Sequence, residues 1–223
     1  MKKNVWVALT GICLFCAGCA PSYIKVTERK GPTTPLTNIF TLYLDEDCNF
    51  SLADSTGYNI CLRSHFADTA SVSVRNRVEA MLAGRLTTPG TVVYGSCDLL
   101  GVKSSNMSVD NSYATFRRLI DSLHVDGILV VQRKDLKREH FESPATNPAP
   151  GMGYGRVDLS VPAGRSEFDT GIYSCFLLDP KDLVHPIWTA QMDTRRAGSR
   201  HELNRSMTRL LAKTLISEGY TVH

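Results

Sequence analysis

Two spacings of apolar residues alternate along the chain, one typical of strands and the other typical of amphipathic helices. Short runs rich in β-branched and aromatic residues predict strands at 39–44, 91–94, 128–131, 171–178 and 186–192. Apolar residues three or four positions apart predict helices at 72–86, at 113–123 and from Ser199 to a cap at Gly219. The element order is therefore β-α-β-α-β-β-β-α.

This order predicts a single α/β domain of two or three layers built on a mixed sheet. The first three strands alternate with helices, so we expect them to be parallel, with right-handed crossovers. The run Ile128–Val131 has no polar residue, which is typical of a central strand covered on both faces. The later strands should form an antiparallel meander. Residues 157–161 alternate and predict one more strand in it, which would make 171–178 run parallel to 128–131.

The N-terminal segment has the pattern of a targeting signal. Lys2 and Lys3 precede an apolar stretch, 5–17, which is shorter than the roughly 20 residues that span a bilayer. The following Cys16-Ala17-Gly18-Cys19 resembles the lipobox of bacterial lipoproteins, in which the last Cys is lipidated and becomes the N-terminus. The resemblance implies a signal peptide at 1–18 and a bilayer anchor on Cys19. A cleaved signal without lipid, or an uncleaved anchor, is the alternative.

Residues 19–37 contain three Pro, one Gly and no apolar periodicity. We interpret them as a flexible tether with about 60 Å of reach, at roughly 3.3 Å per residue. The folded domain would then cover 38–223. No acidic residue follows Cys19 before Glu28. By resemblance to known sorting signals, this favours the outer membrane, with the domain facing the periplasm.

Composition narrows the function classes. Hydrophobic residues make up 43% and charged residues 21%, which is ordinary globular usage and excludes a disordered or collagenous chain. The 25 basic and 22 acidic residues give a formal charge of +3. This balance does not indicate a nucleic-acid partner, which would require a clustered basic face.

Two segments carry a resemblance to a known group of proteins. Residues 116–131, FRRLIDSLHVDGILVV, resemble the helix-into-strand signature of certain envelope lipoproteins, and 176–188, FLLDPKDLVHPIW, resemble their strand-turn-strand hairpin. That group is similar in fold to the N-terminal domain of the Tol–Pal translocation protein, the curli-secretion lipoprotein and the lipoprotein activators of penicillin-binding proteins. The resemblance implies an α/β binding domain and no catalytic residues.

The sequence offers little catalytic chemistry. Gly151–Gly155 is rich in glycine, but no helix follows it as a phosphate loop requires. No His pair has metal-ligand spacing, and no Gly-x-Ser-x-Gly elbow is present. We therefore predict no metal, no cofactor and no enzymatic activity. The leading hypothesis is a membrane-anchored lipoprotein that binds or assembles another envelope component. The alternatives are a cell-wall enzyme and a protein that binds peptidoglycan or a small ligand directly.

Four cysteines beyond Cys19 could form disulfides in an oxidising envelope, and they allow three pairings: Cys48, Cys61, Cys97 and Cys175. We favour Cys48–Cys61, because both lie in one loop between the first strand and the first helix. Cys175 lies in a predicted buried strand, which argues against a reactive thiol there.

The carboxyl edge of the parallel strands is the predicted partner surface. Three long loops, 45–70, 95–110 and 133–155, leave from that edge, and ligands bind at this edge in open α/β sheets. We expect the turn 179–185 to project there too. The loop 133–155 begins with a basic run, 133–138. The alternative is that this basic run is a solvated strand end and that the three loops are neutral insertions. The candidate contact residues are Tyr58, His65, Arg133, Lys134, Lys137, Arg138 and Tyr154.

Overall fold

The computed structural model describes residues 22–30, 34–45, 51–59, 69–96, 113–142, 165–197 and 199–221. Within these ranges the chain forms six strands: β1 (Tyr23–Arg29), β2 (Asn38–Leu44), β3 (Val92–Gly95), β4 (Gly127–Glu142), β5 (Arg165–Leu178) and β6 (Trp188–Ala197). The helices are α1 (Thr69–Leu86), α2 (Tyr113–Ser122) and α3 (Arg200–Ser217), with a short fourth helix at 55–59.

All six strands belong to one mixed sheet in the order β1-β6-β5-β4-β2-β3. β2 is parallel to both β3 and β4, whereas β4, β5, β6 and β1 pair antiparallel in succession. The α/β class and the parallel arrangement of the first three predicted strands are therefore confirmed. The predicted strand at 157–161 lies outside the described residues.

One strand was not predicted. Tyr23–Arg29, assigned to the flexible tether, is an edge strand that pairs with β6. Its side chains alternate between exposed and half-buried, and Ile24 and Val26 pack against the main core. Only these two apolar side chains are buried against the sheet, so the sequence of the segment resembles that of a polar linker. The tether prediction is wrong for 23–29, because β6 supplies the hydrogen-bonding edge.

β4 is much longer than predicted and changes two expectations. It continues for ten residues beyond Gln132, the partner of Leu44 at the end of β2. The basic run 133–138 therefore lies within a strand, paired with β5, and not in a loop after it. Because β5 pairs directly and antiparallel with β4, Leu178 lies opposite Ile128 at the amino end. The prediction that the turn 179–185 shares the carboxyl edge is wrong.

Helices cover the two faces of the sheet unequally. α1 and α3 pack on one face across the sheet and bury Trp188. α2 and segment 51–59 cover the other face over β2 and the start of β4. The described residues place no helix on that second face over β5, β6 and β1, where Gln191 and Lys25 are exposed. In the described part of the chain, the domain thus has three layers over one half of its sheet and two over the other.

Candidate functional site

A buried carboxylate organises the carboxyl end of β2. Asp45 is 7% exposed, and its Oδ1 lies 2.7 Å from Nη1 of Arg133. The hydroxyl of Tyr43 donates to the same oxygen at 3.0 Å, and Nη2 of Arg200 lies 3.5 Å from Oδ2. Burial is the largest cause that raises the pKa of Tyr43 well above its usual value. These contacts tie β2, β4 and the start of α3 together.

A second buried polar cluster joins α1 to the same strand. Oε1 of Glu79 accepts from the backbone N–H of Tyr43 at 2.9 Å and from the hydroxyl of Ser96 at 2.7 Å. Nε of Arg75 donates to the carbonyl of Tyr43 at 3.0 Å. Both charged residues are nearly inaccessible. Both side chains form hydrogen bonds with the backbone of β2, so this cluster fixes α1 against that strand.

The predicted contact residues are not equally available. Tyr58 is fully buried, with its ring centroid 5.1 Å from that of Phe116, so the prediction that it contacts a partner is wrong. The short helix at 55–59 turns its ring inward, against Phe116. Arg133 is 14% exposed and bound to Asp45. Because its side chain is largely buried and already paired, Arg133 is poorly suited to contact a partner.

The rest of the basic run faces outward but is largely paired. Lys137 lies 3.0 Å from Asp135, and Nε of Arg138 donates to the buried Asp169 at 2.9 Å. The hydrogen bond from Lys137 is the largest cause that lowers the pKa of Asp135. Lys134 is exposed and lines a hollow on the open sheet face.

Several predicted residues fall outside the described part of the chain: Cys19, Cys48, Cys61, His65, Cys97, Gly151–Gly155 and Tyr154. The lipidation of Cys19 and the Cys48–Cys61 disulfide stay predictions. Cys175 is a free, fully buried thiol in β5, and burial raises its pKa to about 12. Such a thiol is protonated at neutral pH and does not act as a nucleophile.

The open sheet face contains a groove of about 490 Å³. The half-buried Phe176 on β5 supplies the accessible part of its floor, and the buried Val130, Leu178 and Leu52 border it. Lys134 and Gln132 line the groove as well. This size and this mixture of an apolar floor with a few polar groups are typical of a binding site. Sequence reasoning missed the groove, because its walls come from three distant segments.

The other wall of the groove is the turn between β5 and β6. Asp182 accepts hydrogen bonds from the backbone N–H groups of His185 and Val184, both at 3.1 Å, which lowers the pKa of its carboxyl. The turn is therefore fixed, and it presents Val184 with 63% of its surface exposed. A smaller hollow of about 360 Å³ adjoins it, with Arg117 and Lys181 among its lining residues. The rim thus combines exposed apolar surface with cations.

Within the described ranges, no three His, Cys, Asp or Glu side chains are grouped so as to hold a metal ion. No described helix is long and apolar enough to cross a membrane.

Together, the fold and the groove define a single α/β domain whose described helices cover only half of one sheet face, with a binding-sized hollow beside them. No protein-family model and no curated protein sequence matches the chain. Its structure is similar to that of PelC from Paraburkholderia phytofirmans, solved as a dodecamer. The two are 12% identical over 90% of this chain and 99% of that one, with a TM-score of 0.43.

A variant of the same PelC with one substituted residue, also a dodecamer, matches with 13% identity over 87% of this chain and 95% of that one, with a TM-score of 0.41. The lipoprotein GNA1162 from Neisseria meningitidis matches with 12% identity over 81% and 99% of the two chains, with a TM-score of 0.32. These likenesses concern the fold. The resemblances to the Tol–Pal, curli-secretion and penicillin-binding-protein lipoproteins stay predictions.

Proposed function

We propose that this protein is a lipid-anchored lipoprotein of the bacterial envelope, attached through Cys19 and facing the periplasm from the outer membrane. The support is the signal-like segment 1–18 followed by Cys19, with Ala17-Gly18 just before it, and the absence of an acidic residue before Glu28. Small residues before the cysteine give a lipid-embedded enzyme access to the backbone, and the thiol accepts the diacylglyceryl group. Two or more acyl chains then anchor a protein stably.

Metabolic labelling with an alkyne analogue of palmitate tests the anchor. Label should enter the wild type and Cys16→Ser but not Cys19→Ser, because only the cysteine after Gly18 becomes the new N-terminus. Cys16→Ser is a matched control, since it changes the same atom three residues away. Equal labelling of all three proteins would exclude lipidation at Cys19.

We infer further that the domain binds a partner and does not catalyse a reaction. The observation that carries this is the groove on the open sheet face, where Leu183 and Val184 flank an apolar floor beside Lys134. The buried carboxylates of the described chain support a binding role, because Asp45, Glu79 and Asp169 are all engaged in structural bonds.

The chemistry of the groove indicates its occupant. An apolar floor accepts aliphatic or aromatic side chains, and cations at the rim favour a neighbouring carboxylate. Lys134 lies on one side, and Lys181 and Arg117 line the adjoining hollow. The occupant we propose is a segment of another envelope protein that combines apolar side chains with acidic residues.

Site-specific photocrosslinking in intact cells tests this function. A photoreactive amino acid at position 184 should trap one defined envelope protein, whereas the same residue at position 92 should not. Val92 is a suitable control, because it is also a valine with about half its surface exposed, at 48%, on the opposite edge strand β3.

The trapped protein is then purified and its affinity is measured. Val184→Asp should weaken binding by about tenfold or more, since it places a charge against apolar surface, equivalent to roughly 1.4 kcal/mol. Val92→Asp should bind like the wild type. Equal effects of the two substitutions, or no specific crosslink at position 184, would refute the groove as the binding site.

A further inference from the structure

The first strand begins very close to the proposed anchor. Three residue steps separate Cys19 from Ser22, the first described residue. A chain of three steps spans at most about 11 Å, at roughly 3.6 Å per residue. Ser22 is itself fixed to β6, because its Oγ accepts from the backbone N–H of Arg195 at 3.1 Å. A lipid on Cys19 would therefore hold the start of β1 near the bilayer.

The surface around Ser22 has the composition of a membrane contact. On the open face, Tyr23, Asp193 and Ile172 lie in register across β1, β6 and β5. Tyr23 is 58% exposed and Ile172 is 36% exposed. They are two of only four large hydrophobic side chains with this much exposure among the described residues. Tyrosine is enriched at membrane–water interfaces, where its ring and hydroxyl match the headgroup region.

The next row adds positive charge at the same end. Arg195 and Lys137 flank Thr170 in register on β6, β4 and β5, and Lys137 is 62% exposed. Lys25 is exposed one row on the other side of Tyr23. The linker lets Ser22 lie at most about 11 Å from the anchor, which is close to the Debye length of roughly 8 Å at physiological salt. Asp135, which pairs with Lys137 at 3.0 Å, and Asp193 offset part of this positive charge. The exposed Lys25 and Lys137 can still interact with anionic headgroups.

We propose that this end of the open face, formed by Tyr23, Lys137, Ile172 and Arg195, rests on the phospholipid surface. The proposal rests on lipidation of Cys19 and adds an orientation to it. β5 runs from Ile172 at the membrane to Leu178, six residues or about 20 Å away at roughly 3.3 Å per residue. The turn that carries Val184 then lies at the opposite end of β5 from the bilayer contact.

Photocrosslinking to lipid tests the orientation in the full-length, acylated protein. The protein is purified and reconstituted into vesicles of phosphatidylethanolamine and phosphatidylglycerol, with a benzophenone amino acid at position 23 or at position 184. Both positions are well exposed, at 58% and 63%, so a difference reports distance from the lipid. Position 23 should form several-fold more lipid adducts, measured by mass spectrometry.

A spacer variant is the second measurement. About ten Gly and Ser residues between Pro21 and Ser22 add roughly 17 Å of mean reach and leave every described contact of the domain unchanged. Adducts at position 23 should fall several-fold if the short linker imposes the contact. Equal adducts at positions 23 and 184, or adducts unaffected by the spacer, would overturn the orientation.

Palmitate labelling of the same preparations separates the two proposals. Label on Cys19 together with equal adducts at the two positions would refute the orientation and leave the anchor intact. A wild type without palmitate label would refute the anchor, and the orientation would fall with it.

Discussion

Removing the charge of Asp45 is the sharpest test of what holds the carboxyl end of the sheet together. Asp45→Asn preserves the volume and shape of the side chain and changes only its charge and one acceptor. Asp45 binds Arg133 at 2.7 Å and Arg200 at 3.5 Å, and it accepts from the Tyr43 hydroxyl at 3.0 Å. The substitution therefore leaves a nearly buried guanidinium without its counter-charge.

The burial of the pair determines the size of the effect. Breaking a buried ion pair by removing one partner costs roughly 3–5 kcal/mol, since a charge is left buried. The side chains of Asp45 and Arg133 keep 10% and 14% exposure, and the asparagine oxygen can still accept one hydrogen bond. We therefore expect Asp45→Asn to lower the free energy of unfolding by about 2–3 kcal/mol.

Urea denaturation of the purified protein, followed by far-ultraviolet circular dichroism, measures this loss. The control is Asp135→Asn, which removes the same charge from an exposed pair with Lys137 at 3.0 Å and should leave the free energy of unfolding nearly unchanged. Combining Asp45→Asn with Arg133→Met should cost less than the sum of the single changes, because the unpaired cation is gone. Equal losses for the two Asn variants would refute the role assigned to Asp45.

Three further predictions follow from particular positions. Gly171→Ala should lower the free energy of unfolding by about 1–3 kcal/mol, because its Cβ would lie 2.6 Å from the hydroxyl oxygen of buried Tyr173. Gly84→Ala should raise it by about 0.5–1 kcal/mol, since a Cβ there meets open space in a helix; calorimetry of both variants checks the signs. Burial raises the Cys175 pKa to about 12 in the folded state, above about 8.5 in the unfolded chain. The protonated thiol of Cys175 therefore contributes its full stabilisation of the folded state below about pH 8.5. This stabilisation is lost as the pH rises toward about 12. Between about pH 8 and 10.5, the free energy of unfolding of Cys175→Ala should therefore fall by about 2 kcal/mol less than that of the wild type. The same pH dependence in both proteins would contradict the raised pKa of Cys175.

The sequence by itself determined the strands and helices that are marked by a regular pattern of apolar residues. The uninterrupted run Ile128–Val131 is the start of a central strand, fully buried between two helical layers as its composition predicts. The alternation of strands and helices determined that β2, β3 and β4 are parallel. Long segments with a strong period are read reliably from sequence, because burial of many apolar side chains dominates their free energy.

Only the tertiary structure decided which polar segments join the fold and which face stays open. β1 carries just two half-buried apolar side chains, and its place depends on the free edge of β6. Tyr58 is a predicted contact residue, but the structure buries it. The groove is lined by Leu52, Phe176 and Val184, which are far apart in the chain. Strand pairing and ion pairs such as Asp45–Arg133 join residues distant in sequence. A local pattern cannot encode them, because their stability depends on the partner that folding places beside them.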